Sequence, residues 1–294
     1  MKQQEPLINI DNLHKKFQER QVLDGVRLKV PRGCVFGLLG KNGAGKTTLI
    51  KIILGLIRAT RGSVAVLGQD PWQFPEKTKS CLGYVPQGDR IYPWLTVKEL
   101  VTYTASFYGH WNNELVTRLL NEWQVNPDDK VGLLSEGEAQ KLMIILALGH
   151  EPEILILDEP VASLDPWARR QFLKTVLDIV AQRACTVFFS THITTDLERV
   201  ADHVAILKGG IINFSGELGS LKDEVKRLRV TSQKPFAKDF HVAGLIHAQV
   251  SENQALLSVR GFTDETKRGL EKKYNAQVVV EDINLEEIFL EINR

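Results

Sequence analysis

No uninterrupted apolar run in this chain approaches the roughly 18–20 residues that a membrane-crossing helix needs. MIILALG and EILILDEP both stop far short. The opening stretch MKQQEPLINIDN lacks the apolar segment of a signal peptide. These two absences predict a cytoplasmic protein that meets a membrane only through a partner. Cysteine is scarce: Cys34, Cys81 and Cys185 are isolated and form no CxxC pair, which argues against a disulfide framework or a thiolate metal site. Cys34 and Cys185 lie inside the apolar runs CVFGLLG and CTVFFS, where reduced, buried thiols are expected. Charge of one sign is also missing. Thirty-seven Lys and Arg face 36 Asp and Glu, a net charge of +1, so no nucleic-acid partner is expected. What remains is an ordinary globular composition, 43% hydrophobic and 25% charged. At 294 residues the chain is long enough to bury a sizeable core without disulfides.

The first third alternates short β-like runs with turns: LINI (7–10), VRLKV (26–30), CVFGLLG (34–40) and SVAVLG (63–68). CVFGLLG is almost continuously apolar, the pattern of a strand buried on both faces. A helical stretch follows over about 95–150. Thr96 and Glu99 form a T-x-x-E capping box ahead of an apolar stripe of Leu100, Val101, Thr104 and Phe107, and Leu115, Leu119, Leu120 and Trp123 form another. Buried strands return at EILILD (153–158) and CTVFFST (185–191). Between them Asp165 and Pro166 suit an N-cap and a first helical residue, with Leu173, Val176, Leu177 and Val180 on one helix face. Strands alternating with helices predict an α/β fold with a mostly parallel sheet core. VAILKGGIINFSG (204–216) reads as a hairpin turning at Gly209–Gly210. Beyond about residue 220 the character changes: KDEVKRLRV is charged, and strands ALLSVR (255–260) and AQVVVED (276–282) bracket the helix TDETKRGLEKKYN. Asn284 and Glu287 are spaced as a last N-cap pair. Residues 1–219 are expected to form one domain and 220–294 a small separate α/β domain.

GKNGAGKT (40–47) satisfies G-x-x-x-x-G-K-[ST], and the motif occurs once. Gly40, Gly43 and Gly45, with Asn42 and Ala44 between them, let backbone N–H groups turn inward and approach phosphate oxygens. Lys46 supplies a point charge for the β- and γ-phosphates, and Thr47 offers a hydroxyl to Mg²⁺. The helix that starts there, through Thr48, aims its positive end at the anion. In EILILDEP, four apolar residues end in Asp158, at the carboxyl end of a buried strand, where open α/β sheets bind ligands. Asp158 is placed to hold Mg²⁺, and Glu159 to polarise an attacking water.

On these motifs the chain resembles the nucleotide-binding subunit of an ABC transporter, over residues about 5–218 and in the family's order and spacing. The resemblance implies a P-loop NTPase fold with an antiparallel β subdomain and a helical subdomain over about 88–150. It implies ATP and Mg²⁺ as ligands, a second ATPase subunit and an integral membrane transporter subunit as partners, and a position on the inner face of the cell membrane. Phe17 matches an aromatic that stacks on adenine. Gln87 in YVPQ matches a glutamine that senses Mg²⁺ and the membrane partner, and His192 in FFSTH a histidine at the γ-phosphate. Asp165 in ASLD matches a loop that reaches the second subunit, a role compatible with capping. IYPWL (91–95) suits either docking on the membrane subunit or packing inside the helical subdomain. The ending INLEEIFLEI is similar to tails of ATPases that export drugs, antibiotics or peptides. A homodimer and a heterodimer both fit, and residues 220–294 suit either regulation or dimer support. The rival readings are a soluble ATPase of this type acting on ribosomes or nucleic acid, and a regulatory ATP switch.

LSEGEAQ (134–140) stands where the family has a signature that presses on the opposite subunit's ATP. Ser135 and Gly137 are kept, whereas Glu136 and Glu138 replace a glycine and a glutamine. Ser135 and Glu138 make a capping box, and both carboxylates suit the first helical turn by about 0.3–1 kcal/mol each. A carboxylate some 8 Å from a phosphate charge nevertheless repels it by about 2 kcal/mol at an effective dielectric near 20. A sound helix start with a weakened signature is expected. Glu136→Gly in the assembled complex is predicted to raise ATPase turnover; an unchanged or lower rate contradicts the handicap.

Overall fold

The structure, a computed structural model, describes residues 5–88, 92–161, 164–183, 185–236 and 242–293. The chain divides into two compact units, Met1–Ser215 and Gly216–Arg294.

The first unit carries two sheets. β1 (Ile8–Phe17), β2 (Arg20–Val30) and β4 (Arg61–Val66) form an antiparallel sheet in the order β2-β1-β4. Its inward residues Ile8, Ile10, Leu13, Leu23, Val26 and Leu28 alternate with exposed polar ones, as a half-buried sheet requires. The second sheet joins β3 (Val35–Leu39), β5 (Leu82–Val85), β6 (Ile154–Asp158), β7 (Thr186–Thr191), β8 (His203–Lys208) and β9 (Ile211–Glu217) in the order β5-β6-β7-β3-β8-β9. Pairings from β5 through β8 are parallel. β3, β6 and β7 are buried at every position, so VFGLL, ILILD and TVFFST have no room for alternation. Phe36 and Phe188 stack across this sheet with centroids 5.6 Å apart. Gly37 lets a helix lie close: a Cβ there would sit 2.1 Å from Leu197 Cδ2.

The helices of this unit are α1 (Lys46–Ile53), α2 (Glu76–Lys79), α3 (Val97–Ala105), α4 (Asn113–Glu122), α5 (Glu136–Leu148), α6 (Pro166–Arg183) and α7 (Thr194–Val200). Thr96 caps α3 in a complete capping box with Glu99. Leu115, Leu119, Leu120 and Trp123 are buried together. Two expected stripe positions differ. α3 ends at Ala105, so Phe107 lies beyond it, 65% exposed, with its ring edge-on to Tyr103 at 5.0 Å. Leu177 is exposed while Leu173 and Val176 are buried. At about 100° per residue, Leu177 falls at the margin of the α6 stripe rather than its centre. Cys34 and Cys185 are buried, and burial with the nearby Asp202 charge pushes the Cys34 thiol up to about 12. No helix among the described residues is long and apolar enough to cross a membrane.

The second unit is a four-stranded antiparallel sheet, with α8 (Leu218–Glu224), β10 (Val225–Ser232), β11 (Leu245–Ser251), β12 (Gln254–Arg260), α9 (Asp264–Tyr274), β13 (Ala276–Asp282) and α10 (Leu285–Asn293). The order is β11-β12-β10-β13, so the charged stretch KRLRV forms an interior strand. Leu228 and Val230 point into a core with Leu257, Val259, Leu270 and Val278, while Arg227 on the other face pairs with Glu287 of α10 at 2.6 Å. Asn284 and Glu287 exchange the two hydrogen bonds of a helix start.

Candidate functional site

Strand order brings the site together. β3 lies beside β7, and β7 beside β6, so their carboxyl ends share one rim. Loop 40–45 leaves β3 at that rim and runs into α1, whose first residue is Lys46. Gly43 and Gly45 have φ of 79° and 109°, a region that a side chain opposes. At Gly45 a Cβ would also sit 2.9 Å from Leu23 and 3.1 Å from the Val22 carbonyl oxygen. The loop is therefore shaped for close approach of an anion to backbone N–H groups at a helix start.

Lys46 is 6% exposed, a position that a charged amine occupies only with partners. Its Nζ donates to the Gly40 carbonyl oxygen at 2.7 Å and lies 2.9 Å from Glu159 Oε1. That second contact is an ion pair whose angles do not make it an aligned hydrogen bond. Glu159 Oε2 meets His192 Nδ1 at 2.9 Å. One carboxylate thus ties the loop lysine to the histidine at the end of β7. Glu159 itself has φ of 53°, the left-handed region. Its N–H is held by the carbonyl oxygen and the hydroxyl of Ser190, at 3.1 and 3.2 Å. Such a backbone outlier persists only where its surroundings over-determine it.

Ser190 is the residue that the motifs did not point to. Register pairs it with Asp158, and its hydroxyl donates to Asp158 Oδ1 at 2.6 Å. The available signal was a serine interrupting the apolar strand TVFFST. Asp158 is fully buried, and its Oδ2 has no hydrogen-bond partner. A buried carboxylate oxygen without a donor is costly unless a cation or a bound water meets it. This orphaned atom, next in sequence to Glu159 of the cleft wall, fits a Mg²⁺ site.

A cleft of about 320 Å³ opens over these residues, lined by Asn42, Gly43, Gly45, Lys46, Thr47, Thr48, Gln87 and Glu159, with Arg20 and Val22 from β2. Arg20 and Val22 carried no motif. Gly40 and Ala44 belong to the loop without lining the cleft, and Asp158 and His192 adjoin it through Ser190 and Glu159. Phe17 is not on the cleft wall. It ends β1 directly across from Arg20, 46% exposed, with the Lys15 ammonium 4.6 Å from its ring centre. Ser135 and Gly137 start α5 and do not line the cleft. Asp165 caps α6, accepting from the N–H groups of Trp167 and Ala168 at 2.8 and 3.0 Å, and the Ala168 bond leads in holding its carboxyl below the ordinary range. Ala162 and Ser163 of ASLD and Ile91 of IYPWL lie outside the described residues. Tyr92 and Trp94 are exposed and meet edge-on at 5.7 Å; Tyr92 continues to Tyr103 at 5.2 Å.

A family model described as ABC transporter matches residues 23–162. Among curated relatives, the uncharacterised ABC transporter ATP-binding protein YhaQ of Bacillus subtilis (strain 168) is 34% identical over 230 residues, 76% of each chain. Nod factor export ATP-binding protein I of Burkholderia pseudomallei (strain 1710b) is 34% identical over 208 residues, 69% of this chain and 68% of its own. A solved structure of the ATP-binding subunit of an ABC transporter has 32% identity and a TM-score of 0.67, covering 74% of this chain and 92% of that one.

The start of α5 is closed by its own side chains. Ser135 Oγ donates to Glu138 Oε2 at 2.7 Å, Ser135 N–H donates to the same oxygen at 2.8 Å, and Glu138 N–H donates back to Ser135 Oγ at 3.2 Å. These bonds, the hydroxyl's first, hold the Glu138 carboxyl below its ordinary range. A depressed carboxyl stabilises above its unfolded pKa and loses that contribution as pH falls through the folded one. Ser135→Ala is predicted to cost about 1 kcal/mol at neutral pH and less in acid, once the pH has fallen below the ordinary carboxylate range, read by denaturant unfolding under both conditions.

Proposed function

The chain belongs to the ATP-binding proteins of ABC transporters, whose cassettes are ATPases, and from that premise we propose that it hydrolyses Mg-ATP to power a separately encoded membrane exporter. The observation that carries the reading is the convergence of Lys46, Asp158, Glu159 and His192 on one sheet rim, beside a glycine loop that runs into a helix start.

Loop 40–47 holds the triphosphate tail, and the Lys46 ammonium moves from Glu159 to the phosphate oxygens. Glu159 is then free to accept a hydrogen bond from the attacking water and align it. His192, already held by Glu159, faces the terminal phosphate from β7. Thr47, Gln87 and Asp158 would hold Mg²⁺, which when bound would offset charge on the phosphate oxygens. Phe17 stacks on adenine from the hairpin end. Ser135, Gly137 and Asp165 are away from the chain's own cleft and serve the second ATPase subunit, whose matching residues complete this one.

The membrane subunit docks on the exposed aromatics Tyr92, Trp94, Tyr103 and Phe107, which meet edge to edge as one apolar patch of the kind that marks an interaction surface. Such docking supports a position on the inner face of the membrane. Export is supported by the Nod factor export relative, and by the ending INLEEIFLEI, which folds as α10.

The test is made on the chain expressed with the proteins of its adjacent reading frames. Co-purification with an integral membrane protein from detergent-solubilised membranes is expected; ATPase activity stimulated by nucleic acid instead overturns the transport reading. In that complex Lys46→Ala is predicted to lose ATP binding. Glu159→Gln is predicted to keep binding while turnover falls by about 10²-fold or more. Full turnover in the Glu159 variant removes that residue from its role.

A further inference from the structure

The cleft has one cation whose side chain is already engaged and one whose side chain is not. Lys46 is held by the Gly40 carbonyl oxygen and by Glu159, both within 3 Å. Arg20 lines the same cleft and has no carboxylate partner within 4 Å among the described residues. Its position is well fixed. Arg20 opens β2 directly opposite Phe17, across the two-residue turn Gln18–Glu19, where Gln18 takes φ of 50°. Glu19, its neighbour in sequence, instead meets Lys16 at 3.0 Å. Two residues on, the Val22 backbone closes against Gly45, so this end of β2 leans over the loop just ahead of Lys46.

We infer that Arg20 is a phosphate-binding residue of the nucleotide cleft, gripping the tail of the incoming nucleotide with its guanidinium. The inference rests on the ATP-binding reading above. A guanidinium presents paired donors that match two phosphate oxygens, which an ammonium cannot reproduce. Because Lys46 must first part from Glu159, an exposed cation at the cleft wall gives the triphosphate a partner from the moment it arrives. Phe17 and Arg20, facing each other across one hairpin end, divide the ligand between them: ring to base, cation to phosphate.

The experiment is calorimetric titration of Mg-ATP, and separately of adenosine, into the full chain and its Arg20→Gln, Arg20→Lys and Lys46→Ala variants. Circular dichroism melts verify that each is folded. Arg20→Gln is expected to weaken ATP binding about tenfold or more while leaving adenosine binding unchanged. Arg20→Lys is expected to show a smaller loss. If Arg20→Gln binds ATP as the parent does while Lys46→Ala does not, Arg20 is no phosphate ligand and the ATP-binding reading stands. Equal losses for ATP and adenosine overturn the phosphate assignment in favour of a contact to the nucleoside. A folded parent that binds no ATP brings down the underlying reading itself.

Discussion

One buried ammonium sustains the site. Lys46 sits almost without exposure to water, and the structure pairs it with Glu159 rather than leaving it to solvent. Removing one partner from such a buried pair costs about 3–5 kcal/mol, because the other keeps its charge. The pair is therefore a strong constraint, and under the proposed function it is one that a triphosphate takes over by offering the same ammonium more negative charge. The rest of the rim is arranged around that pair. Ser190 fixes Asp158 with its hydroxyl and holds Glu159 in a left-handed backbone, and Glu159 in turn holds His192. Parallel register supplies the alignment, since Asp158 and Ser190 are partners on adjacent strands and Leu39, just before the loop, is the partner of Thr191.

The two acidic residues around Gly137 show how one segment meets two demands. As a helix start, α5 gains from them: Glu138 completes a capping box and Glu136 lies in the first turn, exposed. As the surface that the proposed function offers to another protomer's nucleotide, the same segment presents carboxylates and a serine hydroxyl already donated to Glu138. In that reading local folding and ligand electrostatics pull in opposite directions, and the helix start is the one that the structure shows complete.

Much of this was legible in the sequence because the physics was local. A strand buried on both faces must be apolar throughout, so VFGLL and ILILD announced themselves, and a glycine-rich turn between such a strand and a helix announced the loop. The capping boxes at Thr96 and Ser135 were spelled out by three-residue spacing. What stayed hidden depends on contacts distant in sequence. β5 is four residues long, and β10 is a charged stretch whose outward arginine finds Glu287 some sixty residues later. Ser190 gains its role only through register with Asp158, and Arg20 only because the first hairpin ends over the loop. Phe107 has the helical spacing of the α3 stripe but lies two residues beyond the end of the helix, which only the chain's turn there decides.

The central claim is that the Lys46 ammonium serves Glu159 and nucleotide phosphate in turn. Calorimetric titration of Mg-ATP into the parent chain and its Glu159→Gln variant tests it most directly. The account predicts saturable, magnesium-dependent uptake by both, tighter in the variant because the competing carboxylate is gone. A folded parent chain that takes up no Mg-ATP, or a folded variant that binds it more weakly, contradicts it.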